Sequence, residues 1–329
     1  MISIKDLVVS FDTFRGKLQA VRGVSLHINK GEIVCLVGES GSGKSVTAQS
    51  MLRLINDRSI QSGSIEIDGF NILKSDKKSL ARFRGKHCGM IFQEPGRSFD
   101  PLYTIGKTFH ETIKAHNKTI SDKAIFEKSL SLLKEVGIYN AEERLGNYPH
   151  QLSGGQLQRV MIALSIASDP DYLIADEPTT ALDVTIQRKI VELIKRLSFE
   201  RGLTVVFITH DLSLVKDFAD KVIVMYSGII LEQGKVDDIF NHPKHPYTRA
   251  LIKSIPKAGA NYKNEKLISI EGVVPDPVYP PPGCPFASRC LYTQSICTVQ
   301  IPHSIQTDAY SQYRCILTPE ELKTRGDVC

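Results

Sequence analysis

No stretch of this 329-residue chain holds the roughly 18 consecutive apolar side chains that a membrane-spanning helix needs, so nothing in it is expected to cross a bilayer. A leader with a charged start and an apolar middle is also missing; the opening MISIKDLVVSF reads as a strand. Charge of one sign is scarce. A formal net charge of +5 is a small excess and does not by itself argue for a nucleic-acid partner. No internal repeat is present. What remains has ordinary composition, 42% hydrophobic and 23% charged, in a chain long enough for one large domain and a smaller one. These absences together predict a cytosolic protein, or one held at a membrane through a partner.

Cysteine is not scarce, but seven in a chain without a secretion signal do not suggest a disulfide framework, because the cytosol is reducing. Cys35 and Cys88 fall in apolar strands and Cys329 ends the chain, so packing or chance accounts for these three. Cys284, Cys290, Cys297 and Cys315 stand together in a different kind of sequence.

The first thirty residues alternate apolar and polar, as half-buried antiparallel strands do. EIVCLVG is then a continuous apolar run ending in glycine, the pattern of a strand buried on both faces, and a helix is expected from about Lys44 to Leu54. SGSIEIDGF and HCGMIFQ are two more short strands. From about Gly96 to Ser168 the pattern is helical; one helix starts at a capping Ser121 and ends at Gly137. Strands and helices then alternate through DYLIAD, a helix around Ile186 to Leu197, TVVFITH, a further helix, KVIVMYSG and IILEQG. This order predicts an α/β fold with a largely parallel sheet, an antiparallel β subdomain and a helical subdomain at about 96–168. Beyond about Phe240 proline rises and VVPDPVYPPPG reads as an extended linker. The expected division is 1–240 and 241–329.

GESGSGKS, Gly38 to Ser45, matches G-x-x-x-x-G-K-[ST] between a predicted strand and a predicted helix. Its glycines let successive backbone N–H groups of Ser40, Gly41, Ser42 and Gly43 turn inward around phosphate. The helix N-terminus, at Lys44, Ser45 and Val46, adds a favourable dipole. Lys44 would reach the β- and γ-phosphates as a point charge, and the Ser45 hydroxyl would ligate Mg²⁺. YLIADE, Tyr172 to Glu177, is an apolar strand closed by two carboxylates. Alternation along a strand would aim them differently, Asp176 at the metal and Glu177 at an attacking water. An apolar run ending in DE is weak alone; beside a phosphate loop it is strong.

LSGGQLQR, Leu152 to Arg159, has apolar positions at helical spacing after Ser153-Gly154-Gly155, so these residues cap a helix start and form a second anion site. Here the chain resembles the ABC-transporter ATPases, whose signature is LSGGQ. The resemblance implies a P-loop NTPase core and a second ATPase subunit, whose bound ATP the segment Leu152, Ser153, Gly154, Gly155 and Gln156 would contact. It further implies that Gln93 of MIFQEP senses Mg²⁺ and touches a transmembrane partner. ALD, Ala181 to Asp183, would be the family's D-loop, His210 would contact the γ-phosphate, and Phe11 would stack on adenine, with Phe14 nearby. GRSFDP, Gly96 to Pro101, stands where peptide-importing relatives often read MTSLNP.

HPKHPYTRALIKSIP, His242 to Pro256, and PPGCPFASRC after it resemble the C-terminal extension of ATP-binding subunits of dipeptide, oligopeptide and nickel importers. Cys284, Cys290, Cys297 and Cys315 are separated by five, six and seventeen residues, without the close C-x₂₋₄-C knuckles of structural zinc. An iron–sulfur cluster tolerates looser spacing, and the resemblance implies a four-iron cluster; zinc and plain thiols stay open. The expected protein is therefore the ATPase of a peptide importer at the cytoplasmic face of the membrane. It would act with a second ATPase subunit, as a heterodimer, with two permeases and an external binding protein. Import of nickel or a metal chelate by the same machine is the nearest alternative. A soluble ABC ATPase of DNA repair or translation is further off, because the chain has neither a long coiled coil between its ATP motifs nor a second ATPase unit.

Overall fold

The computed structural model describes residues 1–180, 182–255, 269–308 and 310–324. Ala181 and Cys329, both singled out above, lie outside them. In chain order the strands and helices begin with β1 (Ile2–Thr13), β2 (Gly16–Ile28), β3 (Ile33–Val37), α1 (Lys44–Met51), β4 (Ile60–Ile67) and β5 (Phe70–Asn71). Then come α2 (Lys77–Lys86), β6 (Cys88–Ile91), α3 (Pro95–Ser98), α4 (Ile105–His116), α5 (Asp122–Glu135), α6 (Ala141–Gly146) and α7 (Gly154–Ser165). They are followed by β7 (Tyr172–Asp176), α8 (Val184–Arg201), β8 (Thr204–Thr209), β9 (Lys221–Tyr226), β10 (Ile229–Lys235), α9 (Val236–Asn241) and α10 (Pro246–Lys253). The chain closes with α11 (Ser295–Val299), β11 (Ile305–Gln306), β12 (Gln312–Tyr313) and α12 (Pro319–Thr324).

Two compact units partition the chain. The first comprises Met1–Ile28, Val34–Leu73 and Thr209–Cys329. Its four-stranded sheet runs β2-β1-β4-β5, and the β1–β2 pair is antiparallel as the alternation predicts. A second set of strands in this unit runs β11-β12-β10-β9-β3, with β3 and β9 parallel and β9 and β10 antiparallel. All five residues of β3 are buried, as its unbroken apolar run requires. The second unit comprises Asn29–Ile33 and Lys74–Ile208, and holds the parallel strands β6, β7 and β8 with helices α2 to α8. Helix α5 begins at Ser121, whose hydroxyl accepts from the Ala124 N–H, and Gly137 follows it with φ 76°.

Two local expectations change. The helix expected between TVVFITH and KVIVMYSG is a single 3-10 turn at Leu212–Leu214, because Asp211 closes the backbone locally by accepting from the Ser213 N–H and hydroxyl. The proline-rich segment is not a free linker. Pro277 accepts a hydrogen bond from the Gln19 N–H (2.9 Å), and Tyr279 Oη donates to the Arg15 carbonyl (3.1 Å). The Arg22 guanidinium reaches the Pro281 carbonyl (3.2 Å), and Arg15 pairs with Asp276. The segment is thereby laid along the β1–β2 hairpin. The residues after it are also structured: β12 pairs antiparallel with β10, placing Tyr313 opposite Glu232.

Candidate functional site

The phosphate loop follows β3 and turns into α1 with the geometry its glycines allow. Gly38 has φ 145°, and a Cβ there would lie 2.1 Å from the Met225 carbonyl oxygen. Gly43 caps α1 at φ 96°, with the Ala20 carbonyl 2.4 Å from where its Cβ would be. Lys44 is 4% exposed, and its Nζ donates to the carbonyls of Gly38 and Glu39 (2.8 Å each) and to the Ser42 hydroxyl (3.1 Å). Ser45 and Val46 open α1, while Ser40 and Gly41 form the exposed crest of the loop. Phe11 is half-buried on β1 opposite Leu18, and Phe14 at the hairpin tip is exposed. His210 follows β8 and is exposed.

In the second unit, Asp176 ends β7 and is buried. Glu177 is aimed by a different device from the strand alternation expected: it lies outside β7 with φ 46°, in the left-handed region. Its N–H donates to the Ile208 carbonyl (3.1 Å), and its Oε2 accepts from the Thr180 hydroxyl (2.9 Å) and Gln93 Nε2 (3.2 Å). Gln93 and Glu177, 84 positions apart in sequence, therefore share one hydrogen bond.

Ser153 caps α7 in a reciprocal box. Its hydroxyl accepts from the Gln156 N–H (3.4 Å), and its own N–H donates to Gln156 Oε1 (3.0 Å). Asp183 caps α8 through the Ile186 N–H (3.0 Å). Ser153, Gly154, Gly155, Gln156 and Asp183 line one open cavity of about 550 Å³, and Arg144 and Arg159 on its wall give it positive charge. Leu152, half-buried, leads into the cap. Two helix caps and two arginines facing one cleft make a surface for anions.

The family described as ABC transporter matches residues 21–180. The oligopeptide transport ATP-binding protein OppD of Bacillus subtilis is 45% identical over 98% of this chain and 90% of its own length. The chain belongs to the ABC transporter family. The dipeptide transport ATP-binding protein DppD of the same bacterium is 44% identical, covering 94% of this chain and 93% of that protein. Among solved structures, a dimeric ATP-binding cassette bound to ADP and Pi superposes with TM-score 0.65 at 30% identity, covering 72% of this chain and 99% of that one. This ABC ATPase thus has the P-loop NTPase cassette fold expected from its motifs. The family described as oligopeptide/dipeptide transporter, C-terminal region, matches residues 231–297, the part that holds α9 and α10 and three of the four clustered cysteines.

Those four cysteines of the ABC ATPase meet. Cys284, Cys290, Cys297 and Cys315 line one cavity of about 20 Å³ with His245, and the Cys284 N–H donates to the Cys297 carbonyl (2.7 Å). Burial pushes the Cys284 thiol up to about 11 and the Cys290 thiol up to about 12, with mutual repulsion among the four adding to it. Four thiols with no carboxylate in the lining are a soft donor set, which suits iron–sulfur or zinc chemistry. Among the described residues no group of three or more His, Cys, Asp or Glu has the spacing to hold a single metal ion. A cavity this size has room for about one small group. The donor set fits a metal group, but the space fits only if the walls move apart.

Sequence reasoning missed two residues beside the phosphate loop, Arg289 and Tyr247. Arg289 lies in the PPGCPFASRC stretch quoted above for its resemblance, but nothing local ties it to its partner Glu39, some 250 positions away. Tyr247 lies in the HPKHPYTRALIKSIP stretch quoted above, and its hydroxyl accepts from the Glu39 N–H (2.9 Å).

Proposed function

We propose that the chain is the ATP-hydrolysing subunit of an importer of di- or oligopeptides, working at the cytoplasmic face of the membrane. The observation that carries this reading is the near full-length likeness to peptide transport ATP-binding proteins, tail included, around an intact set of phosphate-binding motifs. Among the described residues no helix is long and apolar enough to cross a membrane, so attachment would run through permease subunits. An extracytoplasmic binding protein would deliver the peptide, and a second ATPase chain, as a heterodimer, would complete the pair of ATP sites. In domain terms, residues 1–240 would form the ATPase cassette and 241–329 its extension.

Within the cassette, the loop Ser40–Val46 with Lys44 would cradle the phosphates, and Phe11 would stack on the base. Ser45, Asp176 and Gln93 would hold Mg²⁺, which when bound neutralises phosphate charge. Glu177 would accept the proton of the attacking water, and His210 would approach the γ-phosphate. The cap Leu152–Gln156 and Asp183 would face the nucleotide of the partner chain, which suits the cationic cleft they line. The four tail cysteines would bind a [4Fe-4S] cluster, with zinc as the alternative occupant; their shared cavity supplies the soft donors, and its walls would have to move apart to admit either.

The test is uptake of a radiolabelled dipeptide into right-side-out vesicles, loaded with or without ATP, that carry the chain with its permeases and the binding protein outside. Peptide uptake that requires ATP is expected. Uptake of nickel in place of peptide would overturn the cargo, and absence of any permease association would overturn the importer.

A further inference from the structure

The segment that carries Cys284 and Cys290 also carries Phe286 and Arg289, and Arg289 reaches into the phosphate loop. Arg289 is 4% exposed as a side chain. Its Nη1 donates to both carboxylate oxygens of Glu39 (3.0 and 2.9 Å) and to Tyr226 Oη (2.9 Å). Its Nε and Nη2 are committed to the carbonyls of Glu271 (2.8 Å) and Ile270 (2.9 Å). The fork is thus fixed on every side. Burial opposes its charge, but the hydrogen bonds to Tyr226 and Glu39 outweigh that, and its pKa is raised. The Glu39 N–H is held as well, by Tyr247 Oη at 2.9 Å. Phe286 closes the arrangement, with its ring 5.5 Å from that of Tyr226 and 5.2 Å from that of Tyr247.

Glu39 is the second residue of a loop shaped to receive a polyanion, and an uncompensated carboxylate there repels the ligand. The loop itself supplies no partner for that carboxylate; the tail does. We propose that Arg289 is a positioning residue for ATP binding: it neutralises and anchors Glu39 within the phosphate loop, and so makes nucleotide affinity depend on the folded state of the cysteine segment. The strap of residues 276–281 gives the same tail a second hold on the β1–β2 hairpin, at its turn and on β2, the strand paired with the one that bears Phe11. Anything that unfolds the segment from Cys284 to Cys297 releases Arg289 and returns the negative charge to the loop. By linkage, ATP in turn stabilises the segment. This rests on the nucleotide-binding reading of the loop and not on what the thiols hold.

The test is ATP titration of the intact protein by calorimetry, with the wild type as control for the nucleotide-binding reading itself. Arg289→Gln is expected to weaken ATP binding about ten-fold, within the usual span of coupling between sites. Adding Glu39→Gln to that variant removes the orphaned charge and restores most of the affinity. A purely structural role predicts no such rescue, so a double variant as weak as Arg289→Gln overturns the proposal, as does wild-type affinity in Arg289→Gln. Should Arg289→Gln not fold, hydrogen exchange on the wild type decides. Saturating ATP is expected to slow amide exchange across 284–297, and identical exchange with and without ATP overturns the coupling.

Discussion

Gln93 Nε2 donates to Glu177 Oε2 at 3.2 Å, so the residue expected to sense the metal and the residue expected to activate water are joined by one hydrogen bond. The Thr180 hydroxyl supplies a second bond to the same oxygen. Both hold the carboxylate in place.

Glu177→Gln keeps the shape of the side chain but removes the carboxylate proposed as the base. ATP binding is expected to persist, and hydrolysis in the assembled transporter to fall by at least ~10²-fold, the size of a general-base contribution. Single-turnover hydrolysis of radiolabelled ATP measures it. Undiminished turnover would remove Glu177 from the role.

Two glycines of one loop are expected to behave differently. At Gly38 a new Cβ meets the Met225 carbonyl oxygen at 2.1 Å, whereas at Gly41 no atom lies within 4 Å. Gly38→Ala should therefore cost about 1–3 kcal/mol or more and abolish ATP binding. Gly41→Ala carries only the backbone penalty of its positive φ, about 1 kcal/mol. Thermal melts followed by circular dichroism rank the two, and equal losses would contradict the contact.

A buried pair near the tail should make stability depend on pH in two opposed ways. Burial pushes the Glu232 carboxyl up to about 7 although the nearby Thr248 hydroxyl and hydrogen bonds from the Lys244 and His245 N–H groups oppose it, with the Lys244 ammonium its charged neighbour. Burial also pushes the His245 imidazole down to about 3. The raised carboxyl contributes stability that is complete below 4.5 and is lost as pH rises to about 7. The lowered imidazole contributes stability that is complete above 6.5 and is lost as pH falls toward 3. Between those limits the two slopes cancel, so these residues leave the wild-type melting temperature nearly flat from pH 4.5 to 6.5. His245→Asn keeps an acceptor for the Tyr247 N–H and exposes the carboxyl slope alone. Its stability should fall by on the order of 2–3 kcal/mol across pH 4.5 to 7. A flat profile in that variant would show that Glu232 does not titrate there.

The cysteine cavity makes a chemical prediction. On the proposed cluster reading, protein purified without oxygen is brown and contains iron and sulfide, both lost in Cys290→Ser. A colourless preparation carrying zinc would replace the cluster and leave the transporter reading intact.

The motifs legible in the sequence are those whose chemistry is local. GESGSGKS states its own backbone requirements, and the apolar spacing after Ser153-Gly154-Gly155 marks a helix start. Glu177 shows where such reading stops: strand alternation predicts its aim, yet β7 ends one residue earlier and a left-handed backbone does the aiming. Arg289 and Glu39 were further out of reach, because a pair 250 positions apart leaves no periodicity to detect. The pairing of β12 with β10 was hidden for a related reason, since two residues are too few to show alternation.

The proline-rich strap has a consequence of another kind. Strand β2 ends the order of its sheet, and the strap meets it by accepting the Gln19 N–H on the Pro277 carbonyl. Proline has a carbonyl to offer but no N–H, so the strap satisfies the strand without becoming a new strand that could recruit another. It works as a guard against edge-to-edge aggregation of the kind exposed strands invite. A chain cut before the strap would therefore present a sticky margin, and self-association on storage would be the first symptom of losing its tail.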